Sequence, residues 1–235
     1  MAIFTPGGGV ATISGSVGGV TFSRNRGGPY MRTRAIPVNP NTTFQQQVRS
    51  LMATLTSGWI DDLTDDQRAA WDTYALNVHL PNPLGAPRNV GGLAMYVRSN
   101  IPRLQADPVK YPRVDDAPTT FNLGTYTLPS LDNASEAAQT ADVTFDNTDD
   151  WAGEDNSGLL IYGSRAKNPS INYMKGPYRF AAEVEGDSVT PPTSPHSVTW
   201  PFPFVETQRL FAFFRVSRAD GRLSSPFRDE TDATA

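Results

Sequence analysis

The sequence predicts a multidomain α+β protein with an extended, glycine-rich N-terminal β arm, a small helical subdomain and a C-terminal antiparallel β-sandwich. Glycines separate short β-prone pieces over the first 40 residues, apolar residues recur at helical spacing from residue 44, and short alternating segments follow residue 118. The 235 residues include 19 Gly, 20 Pro and no Cys. This composition indicates many turns and excludes disulfides, thiolate catalysis and cysteine-ligated metal sites.

Residues 1–40 are predicted to form an assembly arm that contains a β-hairpin. The β-prone segments 20–23 and 30–34 flank a loop with two adjacent glycines, a pattern typical of hairpins. The arm has too few large apolar side chains for a core of its own, and glycine raises the entropic cost of ordering the chain. We therefore expect neighbouring subunits to hold the arm.

Residues 41–104 are predicted to form the helical subdomain. A helix over residues 42–57, which Gly58 should end, is indicated by one apolar stripe: Phe44, Val48, Leu51, Met52 and Leu55. Thr64 and Gln67 have capping-box spacing at the start of a second helix, over 64–77, and a shorter helix is expected over 92–100. This subdomain is too small for a large core, so we expect it to pack on a neighbour.

Residues 105–118 contain three prolines and are predicted to be a linker at a domain boundary. Residues 119–229 are predicted to form the sandwich, and 230–235 a short tail. The candidate strands are 121–128, 140–146, 157–164, 178–186, 195–201, 209–217 and 222–227. The hairpin over 215–224, with Asp220 and Gly221 at its tip, resembles the last hairpin of fibronectin type III-like domains.

The net charge of −4 follows a gradient along the chain. Residues 1–60 contain five arginines and no acid, residues 61–116 carry a net −2, and residues 117–235 carry a net −7. Of the 20 cationic residues 17 are arginines, whose forked guanidinium suits protein interfaces. The opposite charges of the two ends favour head-to-tail contact between copies.

Arginines cluster in the arm beside two aromatic side chains, with no acid nearby. The residues that we expect at a protein interface are Phe22, Arg24, Arg26, Tyr30, Arg32 and Arg34. Contact with packaged nucleic acid is the alternative, and an ordinary charged hairpin is the third interpretation. Because these cations include no lysine and the whole chain is acidic, a protein partner is favoured over nucleic acid.

The patterns expected of catalytic or metal sites are incomplete. His79 and His196 lie in different predicted domains without metal-ligand spacing. Five carboxylates lie between residues 146 and 155, where a pair would serve glycoside hydrolysis or calcium binding, but an acidic solvated loop is the simpler interpretation. We predict no catalytic residue, cofactor or metal. Trp200 is expected on an exposed turn, where it would contact a glycan or a partner.

An ordered series of motifs occupies the region from residue 14 to residue 75. It comprises residues 15–22, 25–28, Arg32, 37–40, 45–49, Trp59 and 63–71. The series resembles a type of virion protein encoded by tailed bacteriophages and prophages, and the predicted sandwich is similar to immunoglobulin-like modules that decorate phage capsids and tails. The resemblance implies a non-enzymatic structural or decoration protein of the capsid, neck or tail. It also implies partners among copies of itself and other virion proteins (capsid, portal or tail).

The expected location is the virion, after synthesis in the host cytoplasm. No apolar run is long enough to cross a bilayer, so no membrane partner is expected. The alternative function is a carbohydrate-binding or adhesion module whose sandwich and Trp200 contact a cell-surface glycan. A hydrolase that uses carboxylates from residues 146–155 is the third hypothesis.

Overall fold

In the computed structural model the chain divides into two compact units, Met1–Thr43 and Phe44–Ala235. The structure describes residues 2–3, 7–8, 12–25, 28–36, 38–81, 87–174 and 176–235. Helices and a β-rich C-terminal region occur together, so the predicted α+β class is confirmed.

The N-terminal unit contains a four-stranded antiparallel sheet. Its strands are β1 (Ala2–Ile3), β2 (Gly15–Val17), β3 (Val20–Asn25) and β4 (Gly28–Thr33), in the order β1-β4-β3-β2. The predicted hairpin is confirmed, because β3 and β4 pair with Phe22 opposite Met31. Gly28 starts β4 with a φ of 110°, a conformation that glycine adopts without steric cost.

The helices of the second unit are α1 (Thr43–Asp61), α2 (Asp65–Asn77) and α3 (Gly92–Ala106), and the short strands β5 (Leu80–Pro81) and β6 (Pro87–Arg88) pair between α2 and α3. The capping box of α2 is confirmed. The Gln67 N–H donates to Oγ1 of Thr64 at 3.2 Å, and the Thr64 N–H donates to Oε1 of Gln67 at 2.9 Å. In the described part of the chain, no helix is both long enough and apolar enough to cross a membrane.

Two helices continue beyond their predicted ends. α1 passes through Gly58, where a Cβ atom would lie 2.8 Å from Nη1 of Arg113. Gly58 therefore lies within the helix and does not end it. α3 continues through Pro102 to Ala106 because the side chains of Asn100, Pro102 and Arg103 are buried in its second half, and this packing outweighs the lost backbone hydrogen bond.

Seven strands form one sheet between residues 130 and 234. They are β7 (Ser130–Ser135), β8 (Thr140–Thr144), β9 (Gly158–Ser164), β10 (Tyr178–Glu185), β11 (His196–Thr199), β12 (Arg209–Ser217) and β13 (Phe227–Thr234). Their order is β10-β9-β12-β13-β7-β8-β11. The prediction of a wholly antiparallel arrangement is wrong at one pair, because β13 runs parallel to β7.

Two predicted strand positions are also wrong. Residues 121–128 are irregular, because the N–H groups of Thr125 and Thr127 donate to the carboxylates of Asp150 and Asp149 instead of to a neighbouring strand. The last strand lies at 227–234 rather than 222–227, so it includes most of the predicted tail, 230–235.

The large sheet curls so that its edge strands β10 and β11 approach each other, and its inner face encloses the main hydrophobic core. That core includes Leu131, Val143, Trp151, Leu159, Ile161, Val184, Val198, Leu210, Phe214 and Val216. A second core joins the helices and contains Leu55, Leu63, Trp71, Tyr74, Met95 and Tyr96.

Arg103 of α3 connects the helices to the sheet. Its guanidinium is 0% exposed and donates to Oγ of Ser217 at 3.2 Å and to the carbonyls of Arg218 at 2.7 Å, Asn156 at 3.2 Å and Pro112 at 3.2 Å. Burial lowers the pKa of Arg103 because the charged form loses solvation. One side chain therefore joins α3, two loops of the sheet and the segment that follows α3.

Residues 105–118, the predicted linker, are held against the helices by hydrogen bonds. The side chain of Asn100 donates to the carbonyl of Val114 at 3.0 Å and accepts from the N–H of Val114 at 2.7 Å. Nε1 of Trp71 donates to the carbonyl of Asp115 at 2.8 Å. These part-buried hydrogen bonds thus join the predicted linker to α2 and α3.

Replacing Arg103 with leucine is expected to lower the free energy of unfolding by about 3 kcal/mol, because several buried carbonyls lose their donor. A thermal melt followed by circular dichroism should show the melting temperature falling by roughly 10 °C. The exposed Arg88 offers the matched control, and Arg88→Leu should change stability by less than about 0.5 kcal/mol. Equal melting temperatures for the two variants would contradict the role given to Arg103.

Candidate assembly interface

The arm residues predicted at an interface lie on both faces of the N-terminal sheet. Because side chains alternate along a strand and directly paired residues share a face, Phe22 and Arg24 lie on one face together with Met31. Tyr30 and Arg32 lie on the other face. Both arginines are exposed and both aromatic rings are half-buried, so each face presents an arginine beside an aromatic ring.

The other two arm residues predicted at an interface are Arg34 and Arg26. Arg34 follows β4, is exposed, and donates its backbone N–H to the carbonyl of Gly19 at 2.8 Å. Arg26 lies outside the described residues. Sequence reasoning did not show that the arginines divide between two faces, because that depends on the register of β3 against β4.

The edge of the N-terminal sheet is a second feature of the arm. β2 occupies one edge, and its three residues are exposed. Within the described residues no further strand pairs with its outer side. Edge strands of this kind present backbone N–H and C=O groups to which another strand can add.

A separate apolar surface lies on α1. Leu55 and Gly58 are its buried residues, so most of the stripe that predicted this helix lies outside the core. Met52 is 46% exposed and Ile60 is 68% exposed. Sequence reasoning identified this stripe as one face of a helix and expected the subdomain to pack on a neighbour, but it did not show which of these side chains lie outside the core.

Two open grooves flank the exposed stripe. One, of about 510 Å³, is lined by side chains of α1 that include Val48, Met52 and Ile60. The other, of about 650 Å³, lies between α1 and α3 and is lined by residues that include Met52, Leu93 and Val97. The helices therefore present a largely apolar platform to the outside.

Trp200 does not lie on an exposed turn, which corrects the prediction. The side chain is 5% exposed, and its Nε1 donates to the carbonyl of Ser164 at 2.9 Å. The ring packs over Gly163, where a Cβ atom would lie 2.9 Å from Cε2 of Trp200. Because the indole is part of the core, it is not available for contact with a glycan or a partner in this structure.

A cluster that the sequence did not suggest lies next to Trp200. The guanidinium carbons of Arg179 and Arg165 lie 4.6 Å and 5.3 Å from the ring centre of Phe202. These distances are within the range of cation–π contacts. A shallow pocket of about 360 Å³ lies beside this ring. The arginines come from β10 and from the residue that follows β9, so their convergence required the sheet order to be known.

The acidic residues 146–155 hold loops of the second unit together. Asp149 is 3% exposed and accepts hydrogen bonds from the N–H of Thr127 at 2.8 Å and from Nε1 of Trp151 at 3.3 Å. Glu154 pairs with Nε of Arg218 at 2.5 Å. Among the described residues, no group of three or more His, Asp or Glu side chains has a geometry suited to a metal ion.

The two histidines lie in different elements. Nδ1 of His79 is hydrogen-bonded to the side chain of Asn89, and His196 begins β11, where it pairs with Val143 of β8. The structure therefore places one beside the short β5–β6 hairpin and the other at the edge of the large sheet.

Comparison with known proteins adds little to this description. No protein-family model and no curated protein matches the sequence. A solved structure from the computational redesign of a β-sandwich protein aligns with 48% of this chain and 96% of its own, at 16% sequence identity and a TM-score of 0.29. A similarity at this level carries no inference about the function.

Replacing Asp149 with alanine is expected to cost about 2 kcal/mol of stability, because a backbone N–H and an indole N–H lose their acceptor. The control is Asp146→Ala, since Asp146 is exposed and accepts hydrogen bonds from Thr148 within its own turn. That control should change stability by less than about 0.5 kcal/mol. Urea unfolding of both full-length variants measures the difference.

Urea unfolding also tests whether residues 146–155 bind calcium. Because the Asp149 carboxylate already accepts protein donors, millimolar calcium should leave the unfolding midpoint of the wild-type protein unchanged. A ligand that binds the native state raises that midpoint by mass action. A midpoint that rises with calcium and falls with chelator would therefore assign residues 146–155 to a calcium site instead.

Proposed function

We propose that this chain is a non-enzymatic structural protein of a tailed-bacteriophage virion and that it joins neighbouring subunits through its N-terminal arm. The observation that carries the proposal is a cationic arm that forms a compact unit of its own. Residues 1–43 contain four arginines and no acid, whereas residues 44–235 contain 16 cationic and 24 acidic residues. The first region thus has a charge of +4 and the second a charge of −8.

Two kinds of contact follow from the geometry of the arm. The edge strand β2 offers backbone groups to a strand of another subunit, which gives affinity through main-chain hydrogen bonds. Arg24 and Arg32 project from opposite faces of the sheet and offer forked donors for carboxylates. The arm can therefore bridge two acidic surfaces, and its charge steers it towards acidic copies of the same chain.

We assign residues 119–234, which include the whole of β13, to an immunoglobulin- or fibronectin III-like module, which is consistent with seven strands around a single core. The helical residues 41–104 supply a docking platform, which the apolar surface of α1 supports. The protein is placed in the virion at the capsid, neck or tail, with other virion proteins as further partners.

The competing functions have less support. A carbohydrate-binding module was expected to use Trp200, whose ring is buried. A hydrolase was expected to use carboxylates from residues 146–155, where Asp149 and Glu154 hold loops together. Binding of nucleic acid by the arm stays the alternative to binding of a protein partner.

The arm is tested by replacing Arg24, Arg26, Arg32 and Arg34 together with alanine in the full-length chain. Sedimentation velocity at 0.1 M salt should show self-association weakened at least tenfold, because paired charges at the interface are lost. In 1 M salt, where the Debye length is about 3 Å, the difference between variant and wild type should shrink.

A charge-matched control replaces four exposed arginines of the second unit: Arg88, Arg165, Arg179 and Arg228. It changes the net charge by the same amount but leaves the arm intact, so association should stay within about threefold of wild type. Equal weakening by both variants would contradict an arm-specific contact. Incorporation is measured separately by mass spectrometry of purified phage particles, and absence of the chain from them would contradict the virion assignment.

A further inference from the structure

Two arginines without a carboxylate partner meet at one aromatic ring of the second unit. The guanidinium carbons of Arg179 and Arg165 lie 4.6 Å and 5.3 Å from the ring centre of Phe202. Both arginines are exposed, and among the described residues neither guanidinium forms an ion pair or a hydrogen bond. Elsewhere in this unit Arg209 and Arg218 each pair with a carboxylate. The two arginines at the ring therefore keep their N–H groups available to an anion from outside the chain.

The turn that carries Phe202 is held over the end of β9. Gly163 of β9 pairs with Arg179 of β10, and directly paired residues share a face of the sheet. A Cβ atom at Gly163 would lie 2.8 Å from Cδ of Pro201, so the chain crosses this face one residue before Phe202. On the other side of the ring the turn is fixed by Phe204, which is 3% exposed. The fold itself therefore positions the ring beside the two arginines.

A pocket of about 360 Å³, here called the Phe202 pocket, opens beside this ring. It is lined by Arg165, Ala166, Phe202, Pro203 and Gln208. Oε1 of Gln208 accepts the N–H of Val205 at 3.0 Å, so the same amide has its two Nε2 donors left for the pocket. The lining thus combines apolar walls with the donors of Arg165 and Gln208 and contains no carboxylate. Pockets of this size that bind small ligands have the same make-up, apolar walls with a few placed polar groups.

We propose that the Phe202 pocket binds a small ligand through an oxyanion, either a carboxylate or a phosphate group. Arg165 offers the forked donors that such groups accept, Gln208 offers its amide, and the walls formed by Phe202 and Pro203 cover the remainder of the ligand. Arg179 shares the ring but does not line the pocket, so it acts as a positioning residue that raises the positive potential there. This site lies outside the arm and does not depend on the proposed role in assembly.

The first test titrates glucuronate, glucose 6-phosphate and glucose into the full-length chain. The three probes share one sugar ring and differ in the anionic group, so glucose is the matched neutral probe. The backbone amide signals of Ala166 and Gln208 in NMR spectra report binding. At least one anionic probe should bind with a dissociation constant of about 1 mM, and glucose at least about tenfold more weakly. The anion that binds more tightly identifies the group. Equal affinity for glucose, or binding of neither anion at roughly 20 mM, would overturn the proposal.

Variants of the lining residues locate the bound anion. Arg165→Met removes the guanidinium and should weaken binding of the anionic probe at least about tenfold, because charge-assisted hydrogen bonds are lost. Gln208→Glu keeps the oxygen that accepts from Val205 but adds a carboxylate to the pocket, so it should weaken binding by at least as much. The control is Arg228→Met, since Arg228 is exposed and lies 5.7 Å from the ring centre of Tyr173. It makes the same change in net charge and should leave the dissociation constant within about twofold. Circular dichroism melts check that every variant is folded.

Salt dependence tests the role given to Arg179. Arg179→Met should weaken binding about threefold at low salt and by less at 1 M salt, where the Debye length is about 3 Å. A loss that is the same at both salt concentrations would contradict a role through charge. Equal losses in Arg165→Met and Arg228→Met would show a general effect of net charge and would overturn the site. The variant with four arm arginines replaced should bind the probes like the wild type, so failure of the assembly proposal is distinguishable from failure of this one.

Discussion

The buried guanidinium of Arg103 is the interaction on which the architecture of residues 44–235 depends. A buried charge is costly unless its donors are used. Nε of Arg103 donates to the carbonyl of Pro112, and Nη1 donates to the carbonyls of Asn156 and Arg218 and to a serine hydroxyl, whereas the buried Nη2 has no acceptor among the described residues. These acceptors come from separate parts of the chain. Arginine is suited to this role because its planar guanidinium donates in several directions at once. Because these buried N–H groups need acceptors at fixed positions, the contact also determines how α3 packs against the sheet.

Other polar side chains extend the same principle outward from Arg103. Asn100 holds the backbone at Val114, and Asp149 holds the backbone at Thr127. In each case a side chain satisfies backbone groups of an irregular segment that no strand or helix satisfies. The long proline-bearing connections are therefore ordered parts of the unit, and the acidic residues have structural partners of their own.

The arm and α1 each present an exposed surface of a kind that suits contact with another protein. The arm exposes arginines and an edge strand but has little apolar side-chain volume, whereas α1 exposes an apolar stripe with few charges. The first kind of surface gives steering and salt-sensitive contacts, and the second gives contacts that depend on burial of apolar area. The assembly role proposed for the arm uses the first kind of surface.

The sequence by itself determined the α+β class, the arm hairpin, the capping box at Thr64 and most strand positions, because these depend on local turn chemistry and on apolar periodicity. Only the tertiary structure decided where Trp200 lies, which face of the arm each arginine occupies, and that β13 runs parallel to β7. These depend on strand order and register, which pair residues far apart in sequence. Gly58 shows the difference in one residue: the local rule predicted a helix end, but α1 continues through Gly58 to Asp61.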